Sequence, residues 1–485
     1  MSNNKKNKMT KIPADPLSQD LKIIMEKTLE ESHEIILKEL REVYKFSEIK
    51  ASEILKNVDT YTISTMIKTF SYNYVGTDNI GKFDKYEREP RNYRDVAQWS
   101  WTVLTIPFYQ SLGDTIGYYN GRWEFNNGEK NAGPEYTNDL IYEFISLGGI
   151  NDLSIKNWLS SDDTIMYMAT MEVLLEGISD PKEFGKKLRV AYLDIKPLIK
   201  NRHPGIRTME SLESQENIKW DQLIYNSKAI GNGSVMRCGC IGIFFPGEHN
   251  REKLISLAVE SSRITHNSAI AILGSITAAL FTAYSIERVP INMWPHELLK
   301  ILKVDADNNF IDRYMKASRP KEYPLFARDK ILYVGQWQKY VDFRFSGIKP
   351  LMDIPFMNHL VLRYKYLSEK FSKSCDMPGG CADDCVIMAY DALLQSEGIF
   401  EKVVIYSILH PGDSDTVGSV ALSWFGGYYH TMRYEMLFGH YFEELEFHDK
   451  LYAFVEKGIP KMVKIYYSDI YLNIARKYLR ERFLE

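Results

Sequence analysis

The chain has 485 residues, of which 45% are hydrophobic and 26% are charged, and its formal net charge is −4 at pH 7. This composition is close to that of an average globular protein, and the length allows one large domain with an appendage or two to three ordinary domains. Because general nucleic-acid-binding proteins are usually basic, the slight acidity argues against that class, and we expect no nucleic acid among the partners.

The cysteines are sparse and odd in number, which does not suggest a disulfide framework and favours a reducing compartment. They are Cys238, Cys240, Cys375, Cys381 and Cys385. Their spacing fits no standard zinc knuckle, so we expect ordinary free thiols. The first 11 residues are polar and rich in lysine, without the apolar core of a secretory signal. Together these features predict a cytoplasmic location.

The N-terminal part of the chain has a helical pattern of its own. Residues 1–14 are expected to be disordered, and Asp15 followed by Pro16 provides a possible helix N-cap and first turn. Apolar residues then recur at helical spacing among lysines and glutamates, which predicts an amphipathic helix or a pair of helices. We therefore expect residues 1–95 to be an N-terminal helical extension that ends in a connector, and residues 96–485 to be the main domain.

In the main domain, apolar helical runs alternate with glycine-containing turns, and alternating strand patterns are few. This pattern favours an all-α domain. The segment 267–286 carries no charge and is long enough to span a bilayer. It contains several serine and threonine residues, and only its middle is strongly apolar. We therefore interpret it as a buried core helix and expect no membrane association.

Two acidic motifs precede helical patterns in this domain. The first is the Ser-Asp-Asp-Thr sequence of residues 161–164, and the second is the Gly-Asp-Ser-Asp-Thr sequence of residues 412–416. For either motif alone the simple interpretation is helix capping, with a serine as N-cap and aspartates favoured by the helix dipole. Each motif by itself therefore predicts little more than a helix start.

The two acidic motifs together point beyond capping. Each places two carboxylates and neighbouring hydroxyl groups within a few residues, and hard cations such as Mg²⁺ prefer such oxygen ligands. The four carboxylates supply four negative charges, which two divalent cations would balance and which would otherwise repel one another. The pair suggests a site for two divalent metal ions, provided that the motifs meet in space.

Three further segments fit a ligand that contains phosphate and ribose. The Gly-Asn-Gly-Ser loop of residues 231–234 could cradle a pyrophosphate with its backbone N–H groups, although such a tetrapeptide is often a plain turn. His266 precedes the uncharged helix and is either structural or functional. Asp114 and Glu124 are two acids near one apolar segment, and each could instead be a cap or a solvated side chain.

Taken in chain order, these segments resemble the ADP-ribosylglycohydrolases, and most closely the ADP-ribosylarginine hydrolases. The resemblance rests on residues 113–125, 161–164, 231–237, 262–266, 389–394 and 410–416. As an ordered set these segments are specific, and the resemblance implies that residues 96–485 are an ADP-ribosylglycohydrolase-like catalytic domain. The resemblance implies a compact, all-α orthogonal helical bundle with two Mg²⁺ ions in a cleft. It also implies hydrolysis of the bond between the anomeric carbon of ADP-ribose and a protein side chain.

The resemblance further assigns roles to individual residues. The metal ligands that it implies are Ser161, Asp162, Asp163, Asp413, Asp415 and Thr416. The substrate-binding residues that it implies are Gly231, Asn232, Gly233 and Ser234 at the phosphates, His266 at the ribose, and Asp384 before an Ala-Tyr-Asp helix. The candidates for catalysis are Asp162, Asp163 and Glu124, with one ligand aspartate or Glu124 as general base.

Two departures from the family pattern leave the substrate open. Asn267 and Ser268 stand where arginine-specific members usually have a segment with His-Pro, and Ala382 and Asp383 stand where they often have Gly-His. We expect a Mg²⁺-dependent hydrolase that releases ADP-ribose from modified arginine side chains, with an ADP-ribosylated protein or a small ADP-ribose conjugate as partner. The alternatives are a hydrolase of serine-linked or O-acetyl ADP-ribose, or a non-catalytic ADP-ribose-binding protein.

Overall fold

The computed structural model describes residues 16–72, 92–126, 132–303, 309–372, 377–429 and 439–484. The chain divides into two compact units. Unit 1 contains Met1–Trp101 and Ile459–Glu485, and unit 2 contains Thr102–Gly458. The sequence predicted a division after residue 95 with the whole C-terminus in the main domain. The C-terminal segment groups instead with the N-terminal helices.

Helices form nearly all of the described regular structure, which confirms the all-α prediction. The helices are α1 (Pro16–Glu42), α2 (Glu48–Tyr72), α3 (Asn92–Tyr118), α4 (Thr137–Ser146), α5 (Gly149–Asp152), α6 (Asp162–Leu175), α7 (Pro181–Ile199), α8 (Ile206–Gln215), α9 (Val235–Phe244), α10 (Arg251–Thr265), α11 (Ala269–Ile286), α12 (Trp294–Lys303), α13 (Phe310–Ser318), α14 (Tyr323–Arg344), α15 (Leu360–Phe371), α16 (Asp384–Ser396), α17 (Phe400–Ile408), α18 (Ser414–Tyr429) and α19 (His448–Leu479). The described strands, β1 (Phe345–Ser346) and β2 (Lys349–Pro350), pair antiparallel. A π-helical turn, Arg480–Leu484, follows α19.

Unit 1 brings α1 and α2 together with the C-terminal part of α19. On α1, Ile36 and Leu40 are fully buried, in agreement with the apolar stripe expected there. Asp59 on α2 accepts a hydrogen bond from Tyr471 of α19 and lies 3.0 Å from His33 Nε2 on α1. The amphipathic pattern of the N-terminus is therefore explained by a local core that these three helices share.

The centre of unit 2 contains α11, all of whose 18 residues are buried. Among the described helices, α11 is the one that is long and apolar enough to cross a membrane by length and composition alone. Its complete burial agrees with the interpretation of this segment as a core helix. The packing is close, since a Cβ on Gly242 of α9 would lie 2.2 Å from the carbonyl oxygen of Ala279 on α11. Only glycine allows that approach.

A buried ion cluster anchors α16. Asp391 lies 2.9 Å from Arg344 Nε and 2.6 Å from Arg363, and it also accepts a hydrogen bond from Tyr340. Burial acts to raise the pKa of Asp391, but the two guanidinium groups outweigh it and hold the pKa below its usual value. The Ala-Tyr-Asp segment that carried part of the family resemblance therefore stabilises the core.

The cysteines agree with the prediction only in part. Cys238, Cys240 and Cys385 are free thiols, and burial raises the pKa of each. Cys381 is disulfide-bonded, so the expectation of free thiols is wrong for this residue. An odd number of cysteines argues against a disulfide framework, but it does not exclude a single bond. Cys375 lies outside the described residues.

Candidate active site

The first acidic motif lies at the N-terminus of α6. Ser161 is the N-cap, and its hydroxyl oxygen accepts a hydrogen bond from Asp163 N at 3.1 Å. Asp114 of α3 accepts hydrogen bonds from the backbone N–H groups of Ser161 and Thr164, both at 3.1 Å. Ser161 and Asp114 thus cap the helix. The carboxyl groups of Asp162 and Asp163 are not needed for capping.

Two glycines of α3 bring the second acidic motif into place. A Cβ on Gly113 would lie 2.3 Å from Gly418 O, and a Cβ on Gly117 would lie 2.4 Å from Ser414 O. Glycine is therefore required at both positions for α3 to pack on the first turns of α18. Ser414 Oγ also donates a hydrogen bond to Gly117 O at 2.8 Å. Because α3 also carries Asp114, it contacts both motifs.

The two motifs meet in space, as a shared site requires. Ser419 of α18 donates a hydrogen bond to Asp163 Oδ2 at 3.0 Å, and Thr416 Oγ1 donates to Asp163 Oδ1 at 3.4 Å. Asp413 and Asp415 lie close enough for the charge of Asp413 to raise the pKa of Asp415. All of these side chains are buried. The acidic residues of both motifs therefore belong to one cluster.

Burial and mutual repulsion change the pKa values of the clustered acids. Burial, followed by repulsion from Asp114 and Asp413, raises the pKa of Asp162 to about 8. Burial and neighbouring carboxylates also raise the pKa of Asp163 and of Asp415 well above the usual range. Several buried carboxylates cannot all be charged without a counter-charge. A cluster of this kind therefore holds protons or cations.

The chemistry of the cluster fits the predicted magnesium ions. The predicted ligands offer only oxygen atoms, which suits a hard cation. They are Ser161, Asp162, Asp163, Asp413, Asp415 and Thr416. Within the part of the chain that the structure describes, no group of three or more His, Cys, Asp or Glu side chains is arranged to hold a metal ion as it stands. The chemistry of these residues therefore suits hard cations, although the described acids do not form a closed ligand set. The two-ion site stays a prediction.

Glu124 is a further acid of the site, and it is 6% exposed. Burial, followed by repulsion from Asp413, Asp162 and Asp163, raises its pKa well above the usual value. Its Oε2 atom lies 3.2 Å from His203 Nδ1. A carboxyl group with a raised pKa suits general acid–base chemistry near neutral pH. The predicted role of Glu124 is therefore chemically reasonable.

The predicted phosphate loop, residues 231–234, contains a short 3-10 turn, Asn232–Ser234, that leads into α9. The side-chain amide of Asn232 donates a hydrogen bond to Asp413 Oδ2 at 2.9 Å. The ring of His266 lies against the loop, since a Cβ on Gly233 would be 2.9 Å from His266 Cε1. The loop, the predicted ribose-side histidine and the second acidic motif are thus in contact.

His266 is buried and neutral at physiological pH. Burial, followed by the charges of Arg237 and Arg207, lowers its pKa to about 3. Arg237 donates a hydrogen bond to Thr265 Oγ1, which lies 2.9 Å from His266 Nδ1. The Thr265 hydroxyl therefore links the Arg237 guanidinium to the imidazole and fixes the orientation of the His266 ring next to the loop.

Asp384 is fully buried at the start of α16. Its two carboxylate oxygens accept hydrogen bonds from Gly379 N at 2.9 Å and from Cys381 N at 3.0 Å. The segment that it holds lies next to the phosphate loop, where Ala382 N donates to Ile230 O. Asp384 therefore supports the loop through the backbone. Its predicted contact with substrate stays a prediction.

Arg202 and Glu446 hold the first motif from a distant part of the chain. Arg202 donates a hydrogen bond to Ser160 O at 2.7 Å and forms an ion pair with Glu446, whose Oε2 accepts from Ser160 N at 2.9 Å. Sequence reasoning missed this support, as it missed Ser419 and His203. No short motif marks them, because each meets its partner across a long stretch of chain.

The chain resembles known proteins over most of its length. The model of the family described as ADP-ribosylglycohydrolase matches residues 110–457. A protein of Acanthamoeba polyphaga mimivirus that is named as an ADP-ribosyl glycohydrolase is 52% identical over 461 residues, which span 93% of this chain and 88% of that protein. ADP-ribosylhydrolase ARH1 of Dictyostelium discoideum is 31% identical over 341 residues, which span 66% of this chain and 84% of that protein. A solved structure named ADP-ribosylglycohydrolase-related protein complex has 19% identity and a TM-score of 0.44, and the match covers 76% of this chain and 99% of that one.

Proposed function

Because the chain belongs to the ADP-ribosylglycohydrolase family, we propose that it is a Mg²⁺-dependent hydrolase that removes ADP-ribose from modified arginine side chains of proteins. The observation that carries the proposal is the meeting of the two acidic motifs in one buried cluster, with Glu124 beside them. The loop 231–234 is hydrogen-bonded to this cluster, so one elongated ligand could reach both.

The acids of the cluster suit the chemistry of the proposed reaction. Cleavage of an N-glycosidic bond builds positive charge on the ribose, and buried carboxylates beside the ribose stabilise that charge. Glu124 accepts the proton of the attacking water, for which its raised pKa is suited. Bound Mg²⁺ would supply positive charge that orders the ribose hydroxyl groups and acidifies water. Asp162 and Asp163 would be among its ligands.

Arginine is the proposed linkage for two reasons. The segment 117–125 resembles the arginine-specific branch of the family. The guanidinium group of the substrate is cationic before cleavage, and the acids around Glu124 would attract it. Asp384 contributes less to the attraction of the guanidinium group, because both of its carboxylate oxygens already accept backbone hydrogen bonds. The neighbouring Asp383 is also buried.

The test compares three substrates. The protein is incubated with ADP-ribosylarginine, an ADP-ribosylserine peptide or O-acetyl-ADP-ribose, each with Mg²⁺ or with a chelator, and free ADP-ribose is measured. We expect the arginine conjugate to be cleaved fastest, and only with Mg²⁺. Preference for an oxygen-linked substrate would overturn the arginine assignment but not the assignment as a hydrolase. Release from none of them, together with binding of ADP-ribose, would favour a non-catalytic binding protein.

The natural partner and the location are also proposals. An arginine linkage makes an ADP-ribosylated protein the natural substrate. The cytoplasmic location rests on the low cysteine content. The disulfide at Cys381 weighs against it. Cell fractionation with an antibody to the protein tests the location.

A further inference from the structure

We infer that His203 is a positioning residue for Glu124, which holds the carboxyl group in place and carries its proton to solvent. The inference rests on the proposed function, which gives Glu124 the role of acid–base residue. It is carried by the contact between the two side chains, by the backbone conformation of His203 and by the residues that surround its ring.

His203 connects an enclosed carboxyl group with solvent. The side chain of Glu124 is 7% exposed, whereas that of His203 is 50% exposed. Their closest atoms, Glu124 Oε2 and His203 Nδ1, lie 3.2 Å apart. The other titratable groups near Glu124 are Tyr118 and the buried carboxyl groups of Asp114, Asp162, Asp163, Asp413 and Asp415. Among these described neighbours, the imidazole is the group that is both in contact with Glu124 and open to water.

The backbone of His203 has a conformation that side chains rarely adopt. Its φ angle is +54°, in the left-handed region that residues with a side chain seldom adopt, although histidine enters it more often than most. Pro204 follows, and a residue before proline is restricted further. Strain of this kind persists where the surrounding structure imposes it, and it is common at functional sites. The conformation therefore needs a reason other than local preference.

The surroundings of the ring supply that reason. Gly121 has a φ angle of +82°, and a Cβ there would lie 2.5 Å from His203 Cε1. The ring also packs edge to face against Tyr118, with centroids 5.4 Å apart. The missing side chain at Gly121 makes room for the imidazole, and Tyr118 fixes its tilt. Both contacts keep the ring next to Glu124.

The proton path needs no further reactant. Glu124 as carboxylate accepts one proton from the attacking water and becomes a carboxylic acid. It then donates that proton to Nδ1 of His203, and Glu124 returns to the carboxylate. His203 releases one proton to solvent, and the departing guanidine takes one proton up from solvent. The overall hydrolysis therefore neither gains nor loses a proton.

The substitution His203→Gly separates this role from a structural one. Glycine adopts a positive φ without strain, so we expect the thermal midpoint to stay the same or rise. We expect kcat for ADP-ribosylarginine to fall about 10-fold or more, because a positioned proton-transfer group is lost. KM should change by less than about 2-fold, because His203 does not bind the ground state. A structural role alone would lower the midpoint.

Glu397→Gly is the matched control. Glu397 ends α16 with a φ angle of +52°, and its side chain is 59% exposed. The same change of residue should relieve the same kind of strain there without any change in kcat. Free imidazole supplies a second readout, since it can occupy the space left in His203→Gly and accept the proton. We expect imidazole to raise kcat of that variant and of neither the control nor the wild type.

Unchanged kcat in His203→Gly would overturn the inference, as would a lower kcat with a lower midpoint and no response to imidazole. The proposed function is tested separately, by the turnover of the wild-type protein. A wild-type protein without turnover would overturn both proposals. Equal turnover in the wild type and in His203→Gly would overturn the inference and leave the proposed function standing.

Discussion

Asp114 and Asp163 are buried in the same site, yet their surroundings differ. Asp114 accepts hydrogen bonds from two backbone N–H groups, so removing its charge would disturb the start of α6. Among the described residues, the hydroxyl groups of Ser419 and Thr416 donate hydrogen bonds to the Asp163 carboxylate. At the scale of residues, one acid thus supports the fold, and the other is available for a cation or a substrate.

The first prediction concerns the acids that are available for chemistry. We expect Asp162→Asn, Asp163→Asn, Asp413→Asn and Asp415→Asn each to lower kcat about 100-fold or more, because a charge that stabilises the transition state is lost. The thermal midpoint without Mg²⁺ should not fall, since asparagine keeps the volume and relieves repulsion. Asp139→Asn, an exposed change on α4, is the control. Near-wild-type turnover in all four variants at low Mg²⁺ would contradict the prediction.

Part of the site could be predicted from the sequence at this scale. The residues 161–164 and 412–416 were identifiable because their acids are neighbours in sequence at helix starts, and such neighbours stay close in space. The contact of Ser419 with Asp163 and the contact of His203 with Glu124 were not identifiable from the sequence. They depend on how distant helices pack, which no local pattern encodes.

At the scale of elements, α3 determines how the two motifs approach each other. It carries the cap of α6 and packs on α18 through glycine. Apolar periodicity predicted α6, α11 and α18 well. Acidic residues mark the starts of α6 and α18, and the absence of charge marks α11. The crossing of α3 and α18 was not predictable, because the glycines at 113 and 117 also fit a plain turn.

The second prediction tests this crossing. In Gly117→Ala the new Cβ would meet the backbone of Ser414 at 2.4 Å, so α3 and α18 must move apart. We expect a loss of about 1–3 kcal/mol in the free energy of unfolding and a loss of activity. Gly335→Ala on α14 is the control, since nothing lies within 4 Å of its Cβ. It should be neutral or stabilising by up to about 1 kcal/mol. Equal effects of Gly117→Ala and Gly335→Ala on stability and activity would contradict this explanation of the crossing.

The third prediction concerns the ion cluster on α16. Asp391→Asn leaves Arg344 and Arg363 buried without a counter-charge, and we expect a loss of about 3–5 kcal/mol in the free energy of unfolding at pH 7. Because the folded pKa of Asp391 is lowered, its contribution is present above the unfolded value of about 3.9 and is lost as pH falls through the folded pKa. Denaturant unfolding of both proteins should show a constant difference from pH 8 to 5 that shrinks below about pH 4. A difference that grows in acid would contradict this sign.

At the scale of the whole molecule, the chain ends belong to one unit. The sequence predicted the N-terminal helices from their periodicity, but it did not show that residues 459–485 join them. Contacts between the two ends of a chain leave no local signature. In unit 1, Tyr471, Ala475 and Leu479 of α19 are buried.

The fourth prediction follows from that arrangement. Deleting residues 1–95 removes α1 and α2 and exposes the apolar side of the C-terminal segment, so we expect a less soluble protein that self-associates. Deleting residues 459–485 as well should restore solubility, because the exposed surface is then gone. Size-exclusion chromatography of both truncated proteins checks this. A soluble, monodisperse protein after the first deletion alone would contradict the account.

The most direct test of the central claim, that the two acidic motifs form one catalytic site, is a double-mutant cycle. ADP-ribose release with Mg²⁺ is measured for the wild type, Asp163→Asn, Asp413→Asn and the double variant. Residues that act as one unit are non-additive, so the double variant should be within about 3-fold of the slower single variant. If the two rate losses multiply instead, the acids act independently, and the single-site account is contradicted.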